Sequence, residues 1–209
     1  GYTSTLLPLF NGQPFENLPG LRKFNQADRK RRYGEFFADI NPTERFALSF
    51  STTYNEDDYD NSEFGLTFSR VNGWNLDATW AATDTTSIYA WTSEERYKND
   101  QDGRSFVGGA TRPTTSADPN RNWNTRSRDD VTSHGFGFAT RAAEDRLTLG
   151  FDWVQSAVKS DVITTVGSAL TRAPLPTATS DLYYASGYAD WKWTRNIMLR
   201  FRVGYEEYE

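Results

Sequence analysis

Residues 133–153 read SHGFGFATRAAEDRLTLGFDW, and this stretch decides the fold. Before the turn candidate at 142–145, large apolar side chains alternate with Gly and Ala; after it, they alternate with Thr, Gly and Asp. Strict alternation is typical of strands whose two faces meet different surroundings. Two such runs separated by a few residues predict an antiparallel hairpin.

The same alternation recurs at 46–54, 74–82 and 197–206. One set of side chains is apolar, and we expect it to face lipid: Phe46, Leu48, Phe50, Phe136, Phe138, Leu147, Leu149, Phe151, Leu199 and Phe201. The opposite set is small or polar, and we expect it to face a lumen or a partner: Ser49, Ser51, Thr53, Asn75, Asp77, Gly135, Gly137, Asp152, Arg200 and Arg202. Charges on one strand face need water or charged partners, which a lumen supplies.

Four short turn candidates, at 41–44, 83–85, 142–145 and 194–196, each join two long strand-like segments. They predict hairpins at about 30–57, 74–97, 129–158 and 181–208, preceded by a loop over 1–29. Longer polar stretches at 57–73, 98–128 and 159–180 would connect these hairpins. Short turns on one side and long loops on the other are typical of outer-membrane barrels. The predicted fold is therefore an all-β antiparallel transmembrane barrel wall of about eight long strands.

Composition agrees with a barrel better than with a helical membrane protein. Mean hydropathy is −0.73, and the chain contains no apolar run long enough for a membrane helix. Aromatic residues make up 15% of the chain, and many fall near strand ends, as in an interfacial girdle. The members assigned to this girdle are Trp74, Trp80, Trp91, Trp153, Trp191, Trp193, Tyr54, Tyr97, Tyr205 and Tyr208. The alternative is a soluble β-sandwich, whose strands are usually about half as long.

Two features of the strands leave alternatives open. In 86–97, either Tyr89 and Trp91 or Ile88 and Ala90 could form the lipid-facing set, because a slip of one residue reverses the faces. The small inward columns, such as Gly135 and Gly137, would leave voids in a narrow barrel. They predict a wide barrel whose lumen holds water or another protein, unless other strands supply bulky inward groups such as Tyr184, Tyr188 and Arg200.

Few residues suggest chemistry. The chain has no Cys, so it cannot carry a covalently attached c-type haem, and its one His excludes a His-based metal cluster. Asp57, Asp58 and Asp60 are weak calcium candidates in a run that is more often a solvated loop. The basic run 29–32 could contact lipopolysaccharide phosphates or an acidic partner, or simply be solvated. No spacing indicates an enzyme, and a net charge of −5 does not suggest nucleic-acid binding.

Several stretches resemble the MtrB/PioB family of decahaem-associated outer-membrane barrels. The similarity lies in strand and loop patterns rather than catalytic signatures and runs over nearly the whole chain. The stretches are 21–31 (LRKFNQADRKR), 41–45 (NPTER), 57–60 (DDYD), 63–67 (EFGLT), 95–97 with 100–106 (ERY and DQDGRSF) and 203–209 (VGYEEYE).

The resemblance implies a role that the residues alone do not give. It implies a barrel of more than twenty strands that sheaths a periplasmic multihaem c-type cytochrome, sometimes with an extracellular multihaem partner. The haem would belong to the cytochrome, with no cofactor on this chain. The chain begins at Gly1 without Met and ends within a strand, so we expect truncation at both ends. The resemblance implies that it is the carboxy-terminal portion of such a wall. The alternative function is a passive porin for small solutes.

Overall fold

The computed structural model describes residues 25–107 and 111–209, together with 9–10, 13–14, 18, 20–21 and 23. The predicted amino-terminal loop 1–29 therefore lies largely outside the described residues. A two-stranded piece pairs β1 (Leu9–Phe10) with β2 (Gln13–Pro14). The main sheet comprises β3 (Lys30–Thr43), β4 (Phe46–Asp58), β5 (Gly65–Ala81), β6 (Thr86–Arg104), β7 (Asn122–Ala142), β8 (Leu147–Val166), β9 (Ala178–Lys192) and β10 (Met198–Tyr208).

The eight strands of the main sheet follow one another in space as they do in sequence. Every neighbouring pair is antiparallel, and the order runs without a crossover from β10 to β3. Sequential antiparallel pairing through hairpins is the up-and-down topology of outer-membrane barrels. The predicted wall of eight long strands in four hairpins is confirmed.

The sheet is a single layer. Among the described residues, the only buried hydrophobic side chains are Leu18, Tyr59 and Phe64, whereas Phe136 is 48% exposed and Phe201 is 62% exposed. A β-sandwich would cover such side chains with a second sheet. The main sheet has no such cover in the described part of the chain, so its apolar side chains need a non-aqueous surrounding.

The tight turns lie at or near the predicted positions, although the turn predicted at 41–44 is found at 44–45 because β3 continues to Thr43. β3 and β4 are joined through residues 44–45, and the Arg45 carbonyl accepts from the Ala81 N–H at 2.7 Å. In the turn between β7 and β8, Ala143, Glu144 and Asp145 all adopt positive φ, between 52° and 64°. This left-handed conformation lets a four-residue connection reverse the chain direction between two long strands. It is energetically unfavourable for residues other than glycine.

The connections on the other side are shorter than predicted because the strands are longer. They span 59–64, 105–121 and 167–177, against the predicted 57–73, 98–128 and 159–180. The middle connection contains α1 (Arg112–Ser116) and a 3₁₀ turn (Pro119–Arg121). Beyond a membrane both faces of a strand are polar, so hydrophobic alternation fades there although the hydrogen-bonded ladder continues.

Both ends of the described sheet are open. β3 pairs only with β4 and β10 only with β9, so one edge of each is unpaired within the described residues. In hydrocarbon such an edge is costly, because its N–H and C=O groups have no water to bond.

Among the described residues, no helix is long and apolar enough to cross a membrane.

Candidate functional site: the polar face of the wall

The cross-strand register divides the sheet into two chemically distinct faces. Directly paired residues share a face, so the apolar face can be traced across the sheet from Leu48 through Ala78 and Ala90 to Phe136. The polar face runs in the same way from Ser49 through Asp77 and on to Gly135. All ten residues expected to face lipid lie on the first face, and all ten expected to face a lumen or partner lie on the second. The environment of each face remains a prediction.

The apolar face has a limited height, which we call the apolar band. It begins at the short turns and ends on successive strands at Tyr54, Trp74, Thr92, Phe136 and Trp153. Aromatic rings pack along it: Phe136 lies 5.3 Å from Trp153 and 6.0 Å from Phe151, measured between ring centroids. Beyond the band, the same face turns charged on every strand from β3 to β8.

The register also resolves the open facing of β6. Ile88 and Ala90 pair with Phe138 and Phe136 on the apolar face, which leaves Tyr89 and Trp91 on the polar face. Trp91 and Tyr97, assigned above to an interfacial girdle, therefore do not belong to it. Neither set on β6 is polar, so local alternation could not distinguish them; the pairing partners on β7 do.

The polar face is not the bare small surface that its glycines suggest. A Cβ at Gly135 would lie 2.5 Å from Cε2 of the Trp91 indole, and a Cβ at Gly137 would lie 2.5 Å from the Tyr89 hydroxyl. Tyr188 covers Gly150 in the same manner. The glycine positions 135, 137 and 150 are therefore filled by rings from neighbouring strands, which corrects the expectation of voids at these three positions. The surface offered to a lumen is aromatic and hydroxyl-rich.

Charged groups on the polar face are partnered within the wall. The Tyr89 hydroxyl donates to Asp152, and the Asn75 amide donates to Asp77. At the β9–β10 hairpin, Arg200 donates to both carboxylate oxygens of Asp190, at 2.6 and 2.8 Å. Next to it, the Arg202 guanidinium lies 5.9 Å from the centre of the Tyr188 ring. Such a face can bind a hydrated or peptide surface through hydroxyl and charged groups.

A shallow hollow on the polar face gathers several of the predicted contact residues. Its lining includes Ser51, Thr53 and Asn75, with Ser93 and Glu95 from β6. These residues lie at the same height as Trp74, near the upper end of the apolar band. The small side chains that line the hollow leave room for another molecule to approach the wall there.

The acidic run is bound by the basic run on the neighbouring strand. Arg31 donates to both oxygens of Asp57, at 2.7 and 2.8 Å, and holds the pKa of that carboxyl below its usual value. Lys30 pairs with Asp60, and Arg32 lies 3.8 Å from Asp58. Asp57 and Asp58 point to opposite faces of β4. The weak calcium candidates Asp57, Asp58 and Asp60 thus do not converge, and no metal-binding cluster occurs in the described parts of the chain.

Glu56 lies at the centre of a second network beyond the apolar band. It accepts hydrogen bonds from the Tyr54 hydroxyl at 2.6 Å, from Arg70 at 2.8 Å and from Arg32 at 2.8 Å. These bonds, that of Tyr54 foremost, hold the pKa of Glu56 below its usual value despite its burial.

His134 is at the edge of the band, where its Nδ1 lies 2.8 Å from the Thr92 hydroxyl. Among the described residues it belongs to no group of three or more side chains that could hold a metal ion.

Sequence reasoning offered the inward ring of Tyr188 only as an alternative and left the facing of Tyr89 and Trp91 open. It missed the cations beyond the apolar band. The rings carry a usable signal: Trp91 and Tyr89 face glycines once β6 is paired with β7. That pairing follows from the short hairpins on either side, since consecutive strands usually neighbour each other. The cations Arg70, Lys98 and Arg128 fall in ranges predicted as loops or loop borders, so their common face was not visible.

Comparison with known proteins supports the architecture. The chain is 26% identical over 190 residues to the outer membrane protein MtrB of Shewanella baltica, covering 90% of this chain and 25% of that protein. Two mutants of the ferric enterobactin receptor PfeA of Pseudomonas aeruginosa share the fold with TM-scores of 0.66 at 10% identity. They cover 88% and 93% of this chain, which matches 30% and 31% of theirs. The chain therefore spans about a quarter of the curated relative it matches.

The family model described as outer membrane beta-barrel porin, MtrB/PioB, matches residues 11–209. This match covers all eight strands of the main sheet, both faces and the connections between them. Together with the similarity to the outer membrane protein MtrB, it places the protein in the outer membrane. The resemblance seen in the sequence is confirmed: the chain belongs to the MtrB/PioB family of outer-membrane β-barrel porins.

Proposed function

We propose that this chain forms part of a barrel wall that sheaths and positions a multihaem c-type cytochrome for electron transfer across the outer membrane. The observation that carries the proposal is the polar face, where rings cover the glycine columns and hydroxyl and charged groups are exposed. The wall has a structural role rather than an enzymatic one. This chain attaches no c-type haem itself, because it lacks Cys.

The physical need for such a sheath is clear. A cytochrome's polar peptide cannot enter hydrocarbon, where unsatisfied backbone groups are costly. A closed sheet bonds its own backbone and offers Phe136 and Leu149 to lipid, while Ser51 and Asp77 meet the guest. The open edges of β3 and β10 would pair with further strands to close a large barrel. Its ends would leave the cytochrome free to meet a periplasmic donor and an extracellular multihaem partner.

The experiment is co-purification of the full-length protein from outer membranes, read by the visible spectrum of bound c-type haem. We expect Ser51→Trp, which fills the hollow on the polar face, to lower the haem retained per barrel. Ala78→Trp, on the apolar face and three residues nearer the short turns, should leave it unchanged. A folded wild-type barrel that retains no haem would overturn the proposal. Equal retention in both variants would remove the hollow as the contact site.

A second candidate is a passive porin for small solutes, favoured by the charged groups on the polar face. Arg202 is on that face with no carboxylate bonded to it among the described residues. A porin predicts ion conductance in planar bilayers and a change of ion selectivity in Arg202→Glu. A filled sheath predicts little conductance until the cytochrome is removed.

A further inference from the structure

The charged side chains of the four central strands, β5 to β8, divide unequally between the two faces of the sheet. The cross-strand register places all but one of their Lys and Arg residues on the apolar face, beyond the apolar band. These cations are Arg70, Arg96, Lys98, Arg104, Arg126, Arg128 and Lys159. The same face also carries the carboxylates Glu94, Asp100, Asp102, Asp130 and Asp161. Charges of both signs therefore mix on this face.

The polar face of these four strands is acidic. It carries one carboxylate on each strand, and we call the four the polar-face carboxylates: Asp77 on β5, Glu95 on β6, Asp129 on β7 and Asp152 on β8. The one cation that β5 to β8 place on this face is Arg141. It lies at a short turn, 3.4 Å from Asp145. The four negative charges thus have no cation of their own on these strands.

Each polar-face carboxylate accepts a hydrogen bond from a neutral side chain on the same face. The donors are Asn75 to Asp77, Tyr97 to Glu95 at 2.6 Å, Ser160 to Asp129 at 2.5 Å and Tyr89 to Asp152. In the described part of the chain, no ion pair joins any of the four to a cation. A neutral donor orients a carboxylate and leaves its negative charge in place.

The flanking strands do not neutralise this charge. On β3 the polar face adds the carboxylates Glu35 and Asp39, and its Arg31 is bound by Asp57 of β4. On β9 and β10 the cations of the polar face lie in the half nearer the short turn, and they are Lys192, Arg200 and Arg202. A negative surplus therefore remains across the centre of the polar face.

The polar-face carboxylates are close enough to repel one another. Glu95 lies opposite Val131, two residues from Asp129 on β7, which is a diagonal separation of about 7–8 Å. Asp77 and Asp152 are three strands apart, roughly 14 Å. Low-dielectric walls lined by one sign of charge concentrate the field in the space that they enclose. A positively charged partner on this face would relieve the repulsion.

Aliphatic side chains between the carboxylates indicate what kind of partner fits. Val131 pairs directly with Val158, and Val154 pairs with Gly135, all on the polar face. Exposing aliphatic side chains to a water-filled lumen is unfavourable, whereas the surface of another protein can cover them. Protein interfaces combine apolar, aromatic and polar contacts in this way. The face therefore suits a protein surface better than small hydrated cations.

We propose that the polar-face carboxylates bind Lys and Arg side chains of the protein held in the lumen, so that this guest turns a basic surface toward β5 to β8. The inference rests on the proposed function. It adds to that function the sign of charge on the guest's surface and the sector of the wall that this surface contacts.

The test uses the full-length protein purified from outer membranes with its bound haem protein. The variant Asp77→Asn/Glu95→Gln/Asp129→Asn/Asp152→Asn removes the four charges and keeps a hydrogen-bond acceptor at each position. The matched control, Glu44→Gln/Asp84→Asn/Glu144→Gln/Asp145→Asn, removes four negative charges at the short turns. Heat-modifiable migration on gels verifies that each barrel is folded. The readout is the rate at which the haem protein dissociates at low and at high NaCl concentration.

We expect the haem protein to leave the polar-face variant about thirtyfold faster than the wild type at low salt, since each exposed ion pair contributes roughly two- to threefold. The control should match the wild type, and both rates should rise with salt because salt screens the ion pairs. Equal rates in the polar-face variant and the wild type would overturn this inference and leave the sheath in place. A folded wild-type barrel that carries no haem would overturn both.

A second measurement does not depend on the folding of the variant. A carbodiimide joins a carboxylate to an amine in direct contact with it, and mass spectrometry identifies the linked peptides. Applied to the wild-type complex, the reagent should link the polar-face carboxylates to Lys side chains of the guest. Links to the guest that avoid all four carboxylates would overturn the inference.

Discussion

The indole of Trp91 on β6 covers Gly135 on β7, and the ring occupies the space that any larger side chain at 135 would need. A Cβ at this glycine would lie 2.5 Å from the indole Cε2. Tyr89 and Gly137 repeat the arrangement two residues further along the same pair of strands. Gly135 and Gly137 thus leave the space that rings from the neighbouring strand occupy.

The first prediction follows from the contact between Trp91 and Gly135. Gly135→Ala should destabilise the barrel by about 1–3 kcal/mol, because the indole must leave its position or the strands must separate. Gly187→Ala is the matched control: its Cβ would meet nothing closer than the Gly150 carbonyl oxygen at 3.9 Å. Urea unfolding in lipid vesicles measures both. Equal stability of the two variants would show that Trp91 can move without cost.

The second prediction tests the assignment of the faces with adjacent residues. Leu76→Arg places a charge in the apolar band and should cost about 2–4 kcal/mol in a bilayer. Asn75→Arg, one position earlier on the polar face, should cost much less because a lumen hydrates the guanidinium. The readout is the free energy of unfolding in vesicles. A larger cost for Asn75→Arg would reverse the faces.

The third prediction concerns the hydrogen bond from Tyr89 to Asp152. Tyr89→Phe should cost about 1–3 kcal/mol, because it leaves a half-buried carboxylate without its donor. Combining it with Asp152→Ala should cost less than the two single changes together, since the bond can be lost only once. Tyr183→Phe, which removes a hydroxyl from the apolar face at 3.3 Å from Gln155, is the control. Strict additivity would mean that the two groups do not interact.

The fourth prediction is a pH dependence at the outer end of the sheet. The pKa of Glu56 is lowered in the fold, chiefly by the bond from Tyr54 and then by Arg70. The ionised form is favoured in the folded state, so this contribution is complete above the ordinary pKa of 4.5 and is lost as pH falls through the lowered value. Proteolysis of the 59–64 connection should therefore increase on acidification below about pH 4.

A matched pair of variants isolates this effect. Glu56→Gln should make cleavage of that connection less dependent on acid, because the titrating group is gone. Glu144→Gln, in the short turn at the opposite end, should behave like the wild type. If Glu56→Gln keeps the full acid response, another group in the network controls it, with Asp57 the first to examine.

Much of the fold could be predicted from side-chain alternation alone. The band residues Phe136, Phe138, Leu147 and Leu149 contrast with Gly135 and Thr148, and such a contrast is typical of a barrel wall whose two faces meet different surroundings. Where the surroundings differ strongly across the sheet, the sequence therefore reveals both the strand and its orientation.

The rest could not be predicted, for two physical reasons. Above the membrane both faces of β7 are wet, so nothing in the sequence between Asn122 and Asp130 marks it as strand; the ladder to β6 and β8 does. On β6, Ile88 and Tyr89 are both suited to an apolar surface, and the choice depends on which residue lies opposite Phe138. Cross-strand pairing, rather than the local pattern, decides such positions.

The strictly sequential strand order has a consequence for how such walls change size. Because each hairpin bonds only to the hairpins before and after it, a further hairpin can enter at any tight turn without rethreading the rest. The circumference can therefore grow in steps of two strands. The contacts between aromatic rings and glycines within each existing pair of strands stay intact. Gene duplication of single hairpins is thus a simple route by which the lumen diameter of such a barrel can change.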